Sequence, residues 1–345
     1  MRDELTERGT PLVWKGVNYD AGTDYSGGGS ASAPWSDEVV RRHMALVRDE
    51  LHANSVTVFG TDVERLARYG GIAAEAGLHV WLQPRLIEGD TEATLAHLAA
   101  AADAAEELRR RHGAVDLNVG CELTVFGAGF IPGDTYGDRV AKLAAPEWWP
   151  RMAEFSERLD VALARAVEVA RGRFGGRLTY GGALWERVDW SGFDFVGQNY
   201  YRMAYNTEHY ADGLRAHLDH GKPLLITEFG CCTFEGAAAA GPSGYDIIDW
   251  TADPPVLNGP HVRAEQEQAD YLTDLLGLYE AHGVHGAYVY ELAASKPYSP
   301  DPARDLDMAS FGLLKAVDGE WERKESFRAV ARRFAQGPSG GRDRA

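Results

Sequence analysis

Two glutamates each close an apolar run in this chain, in Val119-Gly120-Cys121-Glu122-Leu123 and in Leu225-Ile226-Thr227-Glu228-Phe229-Gly230. Runs of small and β-branched apolar residues read as buried strands, and a carboxylate placed where such a strand stops projects into the crevice at that end of the sheet. Two carboxylates facing one crevice are the equipment for cleaving a glycosidic bond. One, held protonated by burial and by its neighbour's charge, gives a proton to the departing oxygen, while the other attacks the anomeric carbon. The attacking group needs hydrogen-bond donors beside it, and Tyr201 and Arg85 are the candidates.

The elements that must position this pair alternate along the chain. Eight strand-like runs are expected: Leu12 to Tyr19, Ser55 to Gly60, His79 to Arg85, Asp116 to Glu122, Leu178 to Leu184, Phe193 to Tyr201, Leu224 to Phe229 and Gly286 to Leu292. Helical patterns lie between them at Asp37 to Leu51, Asp62 to Ala76, Glu92 to Arg111, Glu147 to Arg171, His209 to His220, Val262 to His282 and Glu322 to Ala335. The interval Trp185 to Gly192 is too short for a helix, which leaves seven helices and one turn. Eight βα units imply a parallel sheet, and a parallel sheet of eight strands closes most naturally into a (β/α)8 TIM barrel, an α/β fold. No Gly-x-Gly-x-x-Gly follows the first strand, so a doubly wound dinucleotide-binding sheet is the weaker alternative; Gly27-Gly28-Gly29 reads as a flexible loop. The expectation is one catalytic barrel over residues 1–336 and a disordered Gly/Ser/Arg tail over 337–345.

Barrel active sites lie at the carboxyl ends of the strands. The long loops follow strands one (Asp20 to Ser36), four (Thr124 to Pro146), seven (Cys231 to His261) and eight (Ala293 to Gly319), all at that end, so a deep, lidded cleft is expected there. Strands four and seven face each other across the bore, which lets Glu122 and Glu228 flank a bond threaded between them. Strict alternation groups Glu122 with Gly120 and Asn118, Glu228 with Ile226, and Tyr201 with Asn199.

Composition narrows the ligand. The 345 residues are 45% hydrophobic and carry 52 acidic against 35 basic side chains, a formal charge of -17. That charge repels phosphate backbones and anionic lipid, so neither nucleic acid nor membrane is expected as a partner, and a neutral or cationic small molecule suits it better. The three cysteines, Cys121, Cys231 and Cys232, make no disulfide framework. The charged opening Met1 to Thr10 lacks an apolar core, and no segment reaches the roughly 18–20 apolar residues of a membrane span, so a cytoplasmic address is expected.

With a glutamate ending strand four, Thr227-Glu228-Phe229-Gly230 ending strand seven and Asn199-Tyr200-Tyr201 ending strand six, the chain resembles clan A of the glycoside hydrolases, the retaining (β/α)8 superfamily, over nearly its whole length. Gly312-Leu313-Leu314, Asp318-Gly319 and Arg323 to Phe327 are similar to that superfamily's last unit. The resemblance implies a glycosidase acting through a covalent glycosyl-enzyme with retention, Glu122 as general acid/base, Glu228 as nucleophile and Tyr201 bonded to the nucleophile. It implies no cofactor or metal; the expected cytoplasmic address suggests a small soluble glycoside or oligosaccharide as substrate. Asn199, Arg85, Asp20, Tyr19, Cys121, Tyr290 and Glu291 are assigned to substrate binding. Two positions depart from the family: Cys121 stands where an asparagine usually holds the sugar 2-hydroxyl, and Tyr288-Val289-Tyr290-Glu291 stands where a tryptophan commonly floors the sugar. A thiol is a weak hydrogen-bonding group, so that 2-hydroxyl contact is lost or made elsewhere.

Plainer explanations compete at each position. Glu186 and Glu88 read as solvated caps or ion-pair partners, Arg85 as an ion-pair partner or sugar contact, and Cys231-Cys232 as buried packing. Trp14, Trp81, Trp185 and Trp250 are core more often than sugar platforms. Two rival functions remain. Glu122, Glu186, Glu228 and Glu291 end four strands, as in the metal ring of a sugar isomerase or epimerase, but His79 and His285 begin their strands at the opposite face. The other rival is a barrel that binds a glycan without cleaving it, which Cys121 favours.

Overall fold

The computed structural model describes residues 10–25 and 35–336. The Gly27-Gly28-Gly29 loop, most of the charged opening and the 337–345 tail lie outside the described residues. Eight parallel strands form one sheet: β1 (Trp14–Asp20), β2 (Ser55–Gly60), β3 (His79–Pro84), β4 (Val115–Cys121), β5 (Leu178–Gly181), β6 (Val196–Asn199), β7 (Leu224–Phe229) and β8 (Gly286–Val289). β1 pairs with both β2 and β8, so the order runs β5-β4-β3-β2-β1-β8-β7-β6. The ring closes through a parallel bridge between Gly182 and Gln198, where the Gly182 amide donates to Gly197 O at 3.0 Å and Gln198 Nε2 to Gly182 O at 2.9 Å. This is the (β/α)8 barrel expected from the alternation of elements.

The helices follow the strands as α1 (Asp37–Asp49), α2 (Val63–Glu75), α3 (Thr91–His112), α4 (Met152–Arg171), α5 (Tyr210–Leu218), α6 (Glu265–Ala281) and α7 (Glu325–Ala335). Between β5 and β6 the described chain makes only a helical turn at Trp190–Gly192. Sequence sets their starts locally: the carboxylates of Asp62 and Asp90 cap the amides of Arg65 and Ala93 at 2.9 and 2.8 Å. In α3, Leu95, Leu98, Ala102, Ala105 and Leu108 recur at helical spacing and are buried against the sheet.

Several element ends lie a few residues from expectation, as at Met152 for Glu147 and Val196–Asn199 for Phe193 to Tyr201, and two differences have an identifiable local cause. The last helix begins at Glu325 and not at Glu322, because Leu314–Val317 and Glu320–Arg323 form an antiparallel hairpin turning at Asp318 and Gly319. Both turn residues have positive φ, 51° and 84°, and an Asp-Gly pair is the local signal for such a turn. The loop after β4 also carries a helix, Tyr136–Ala144, started by a reciprocal cap between Thr135 and Asp138.

Packing divides at the sheet. Outward apolar residues such as Val56, Val80, Leu117 and Ile226 join the helices in one continuous core, while Trp14, Trp81, Phe195, Leu225 and Tyr288 fill the bore separately. Trp14 stacks on His79 at 4.4 Å and meets Trp81 edge-on at 5.6 Å. Tyr288 lies flat over Gly16, where a Cβ would come within 2.1 Å of the ring, and only glycine allows that approach. Trp14 and Trp81 are therefore the barrel's floor, not sugar platforms.

Candidate active site

Glu122 and Glu228 reach the same place by breaking strand alternation. β4 pairs with β5 at Asn118–Thr179 and next at Cys121–Gly181, which inserts one extra residue on β4. β7 carries an extra residue against both neighbours: the pairs run Gln198–Ile226 then Asn199–Glu228 on one side, and Ala287–Ile226 then Val289–Phe229 on the other. A bulge of this kind re-aims side chains next to it. Ile226 consequently packs outward in the helix-facing core while Glu228 turns inward, which corrects the grouping of these two by parity. Cys121 and Glu122, adjacent in sequence, both contact Asn199. Glu122 itself takes left-handed backbone, φ 42° and ψ 45°, and opens the helical turn Leu123–Phe126.

Glu228 is buried and held on both oxygens. Oε1 accepts from Arg85 Nη2 at 2.6 Å and from the Cys121 thiol at 3.5 Å, and Oε2 accepts from Tyr201 OH at 3.1 Å. The same Arg85 nitrogen donates to Gln83 Oε1 at 2.6 Å, and its guanidinium lies 4.1 Å over the Phe59 ring. Arg85 is thus the ion-pair partner of Glu228. On the other side Asn199 Nδ2 donates to Glu122 Oε1 at 2.9 Å, and Asn199 Oδ1 accepts from Thr227 Oγ1 at 2.7 Å. Cys121 and Asn199 together bridge the two carboxylates.

The two differ in electrostatic surroundings. Burial, and after it the charge of Glu228, pushes the Glu122 carboxyl up to about 8, against the opposing hydrogen bond from Asn199. Burial likewise raises the Cys121 thiol well above its ordinary value, with Arg85 opposing, so it stays a thiol. Tyr201 is raised well above the usual phenol range by burial and by the two glutamates.

The remaining predicted residues divide. Glu291 and Asp20 lie at the mouth within electrostatic reach of each other, and burial followed by Asp20 pushes Glu291 up to about 8. Asp20 Oδ1 accepts from the Gly22 amide and Thr23 Oγ1 at 2.9 and 3.0 Å. Tyr290 stacks on Phe59 at 5.9 Å and meets Phe311 edge-on, and its peptide bond to Glu291 is cis. Tyr19 does not join them: its hydroxyl meets His43 Nδ1 of α1 at 2.9 Å, and its ring is buried behind the sheet.

Sequence reasoning missed several contributors. Glu186, set aside as a solvated cap, is buried and accepts from the Thr124 amide, Thr124 Oγ1, Tyr180 OH and the Ala183 amide at 2.6 to 3.0 Å. With Tyr180 OH also accepting from the Leu123 amide at 2.7 Å, it secures the turn that follows Glu122. Glu88 is an ion-pair partner, of the buried Arg139 at 2.5 Å. Tyr25 approaches Arg85, and Tyr136 and Tyr245 stand within electrostatic reach of Glu122. These aromatics sit in the long segments that follow β1, β4 and β7, Tyr136 opening the Tyr136–Ala144 helix and Tyr245 in a helical turn, where no strand periodicity marks them. Among the described residues no group of three or more His, Cys, Asp or Glu is placed to hold a metal ion. No described helix is long and apolar enough to cross a membrane, and Cys231 and Cys232 are buried and unbridged.

No family model and no curated protein matches this chain. Solved structures do. A GH113 β-1,4-mannanase superposes with a TM-score of 0.62 at 16% identity, covering 94% of this chain and 100% of its own. The GH113 β-mannanase AaManA from Alicyclobacillus acidocaldarius, solved with ManMIm, gives 0.56 at 18% identity over 94% of this chain and 97% of its own. A family 1 β-glucosidase from Thermotoga maritima gives 0.59 at 11% identity over 95% and 98%. Likeness at this identity establishes the barrel fold.

Proposed function

We propose that this protein is a retaining glycosidase in which Glu228 attacks the anomeric carbon and Glu122 serves as acid and then base. The observation that carries this reading is the contrast between a buried carboxylate, Glu228, and a half-buried one, Glu122, bridged by Asn199 and Cys121. Glu228 lies against Arg85 at 2.6 Å, whereas among the described residues Glu122 forms no ion pair, and burial with the charge of Glu228 pushes it up to about 8 despite the more distant Arg85. At neutral pH Glu122 holds a proton to give to the leaving oxygen as Glu228 bonds to C1. The ester so formed removes the negative charge of Glu228, which lowers the proton affinity of Glu122 and converts it to the base that draws a proton from water. Tyr201 and Arg85 hold the nucleophile's oxygens during attack. The substrate is a small soluble glycoside or oligosaccharide, and similarity to a mannanase and a glucosidase supports this class.

A panel of aryl glycosides tests it. Turnover by the wild-type protein, a fall of about 10⁴-fold or more in kcat for Glu228→Ala, and recovery with azide to give the glycosyl azide of inverted configuration are expected. Cys121 is the observation that favours the alternative of a glycoside-binding barrel without hydrolysis, because it occupies the flank of Glu228 with a weak hydrogen-bonding group. Tight binding of panel members with no turnover of any would establish that alternative.

A further inference from the structure

Glu291 differs from every other glutamate around the mouth. Glu228 has Arg85 and Tyr201, Glu122 has Asn199, and Glu186 has Thr124 and Tyr180. Glu291 is only 7% exposed, yet among the described residues its side-chain oxygens take no hydrogen bond and no ion pair. Asp20 ends β1, which pairs with β8, and the Leu292 amide donates to Asn18 O at 3.0 Å, so the ends of these two strands lie side by side. The charged groups within electrostatic reach of Glu291 are Asp20, Lys296, Glu228 and Arg85, with the Tyr290 hydroxyl and the Cys232 thiol in the same reach. Arg85 is already engaged by Glu228 and Gln83. The Glu291 oxygens are not among the sealed, unpartnered polar atoms and so remain reachable from outside, and an anion in so restricted a position beside a second carboxylate is costly unless a cation joins it. Neutral hydroxyls are served by amides such as Asn199 at no such cost; grouped carboxylates are complementary to a positive charge.

We propose that Glu291, with Asp20 beside it, receives the ammonium group of a bound sugar, which makes the substrate class a glycoside of an amino sugar bearing a free primary amine. The term substrate rests on the glycosidase reading above; the binding site does not. Without a cation beside it Glu291 holds a proton at neutral pH, since burial and then Asp20 raise its carboxyl to about 8. An arriving ammonium stabilises the carboxylate and releases that proton, so the negative charge Glu291 gains balances the positive charge of the ligand.

Calorimetry on the full chain at pH 7 tests the assignment, with glucosamine, mannosamine and galactosamine each set against its N-acetyl counterpart. At least one free-amine sugar binds about tenfold tighter than its uncharged counterpart, and Glu291→Gln abolishes the difference. Repeating the titration in buffers of different ionisation enthalpy shows proton release by the wild type. The proposal is overturned when no free-amine sugar binds tighter than its N-acetyl form, or when a folded Glu291→Gln keeps the preference. Wild-type preference and proton release decide the matter even where that variant does not fold. Turnover of aryl glycosides without amine preference removes this proposal alone, and amine preference without turnover removes the glycosidase reading alone.

Discussion

The thiol of Cys121 lies 3.5 Å from Oε1 of Glu228, and its sulfur accepts from Asn199 Nδ2 at 3.3 Å. Asn199 also donates to Glu122, so a cysteine forms part of the link between the two carboxylates. Burial keeps this sulfur protonated, and Cys231 and Cys232 are raised in the same direction. All three thiols are therefore expected to react with a thiol reagent at pH 8 about a hundredfold more slowly in the folded protein than in denaturant. Rapid labelling of Cys121 in the folded state would contradict the burial described here.

The pH dependence follows from Glu122. Its carboxyl is raised to about 8, so the acid form needed for leaving-group protonation is populated below that value and lost above it. The profile of kcat/KM is expected to fall on an alkaline limb near 8. Glu122→Gln removes the limb, substrates with highly acidic leaving groups weaken it, and Glu291→Gln leaves it in place although Glu291 titrates in the same range.

Arg85 and Glu228 form a buried ion pair, 3% and 7% exposed at their side chains. Arg85→Met leaves the carboxylate and Gln83 without their donor, and a loss of about 3–5 kcal/mol in unfolding free energy is expected by denaturant titration. The double variant Arg85→Met/Glu228→Gln recovers part of that loss, since it removes the orphaned charge. Equal losses in the single and double variants would show that the pair contributes nothing through its charge.

Glu186 is a positioning residue. Glu186→Ala strands two amides and two hydroxyls that now end on its carboxylate, at a cost of about 1–3 kcal/mol for each group left unsatisfied. Loosening the turn at Leu123–Phe126 also shifts the alkaline limb set by Glu122. A variant that is less stable but keeps the limb in place would assign Glu186 to structure alone.

The chain alone determined the barrel and the glutamates at its mouth. Strand runs, helix caps at Asp62 and Asp90, and the short Trp185 to Gly192 interval are local patterns, and local hydrogen bonds and burial enforce them. Even the unexpected hairpin before α7 has its signal, Asp318-Gly319. The facing of side chains at the strand ends was decided only in three dimensions. Parity grouped Glu228 with Ile226 and left Cys121 opposite Glu122, whereas extra residues on β4 and β7 bring Cys121, Glu122 and Glu228 to one point. A bulge is set by pairing with strands distant in sequence, by Thr179 and Gly181 for β4 and by β6 and β8 for β7. Tyr19 shows the same limit from the other side: it ends the expected first strand as plausibly as Glu122 ends the fourth, and only its contact with His43 of α1 places it behind the sheet.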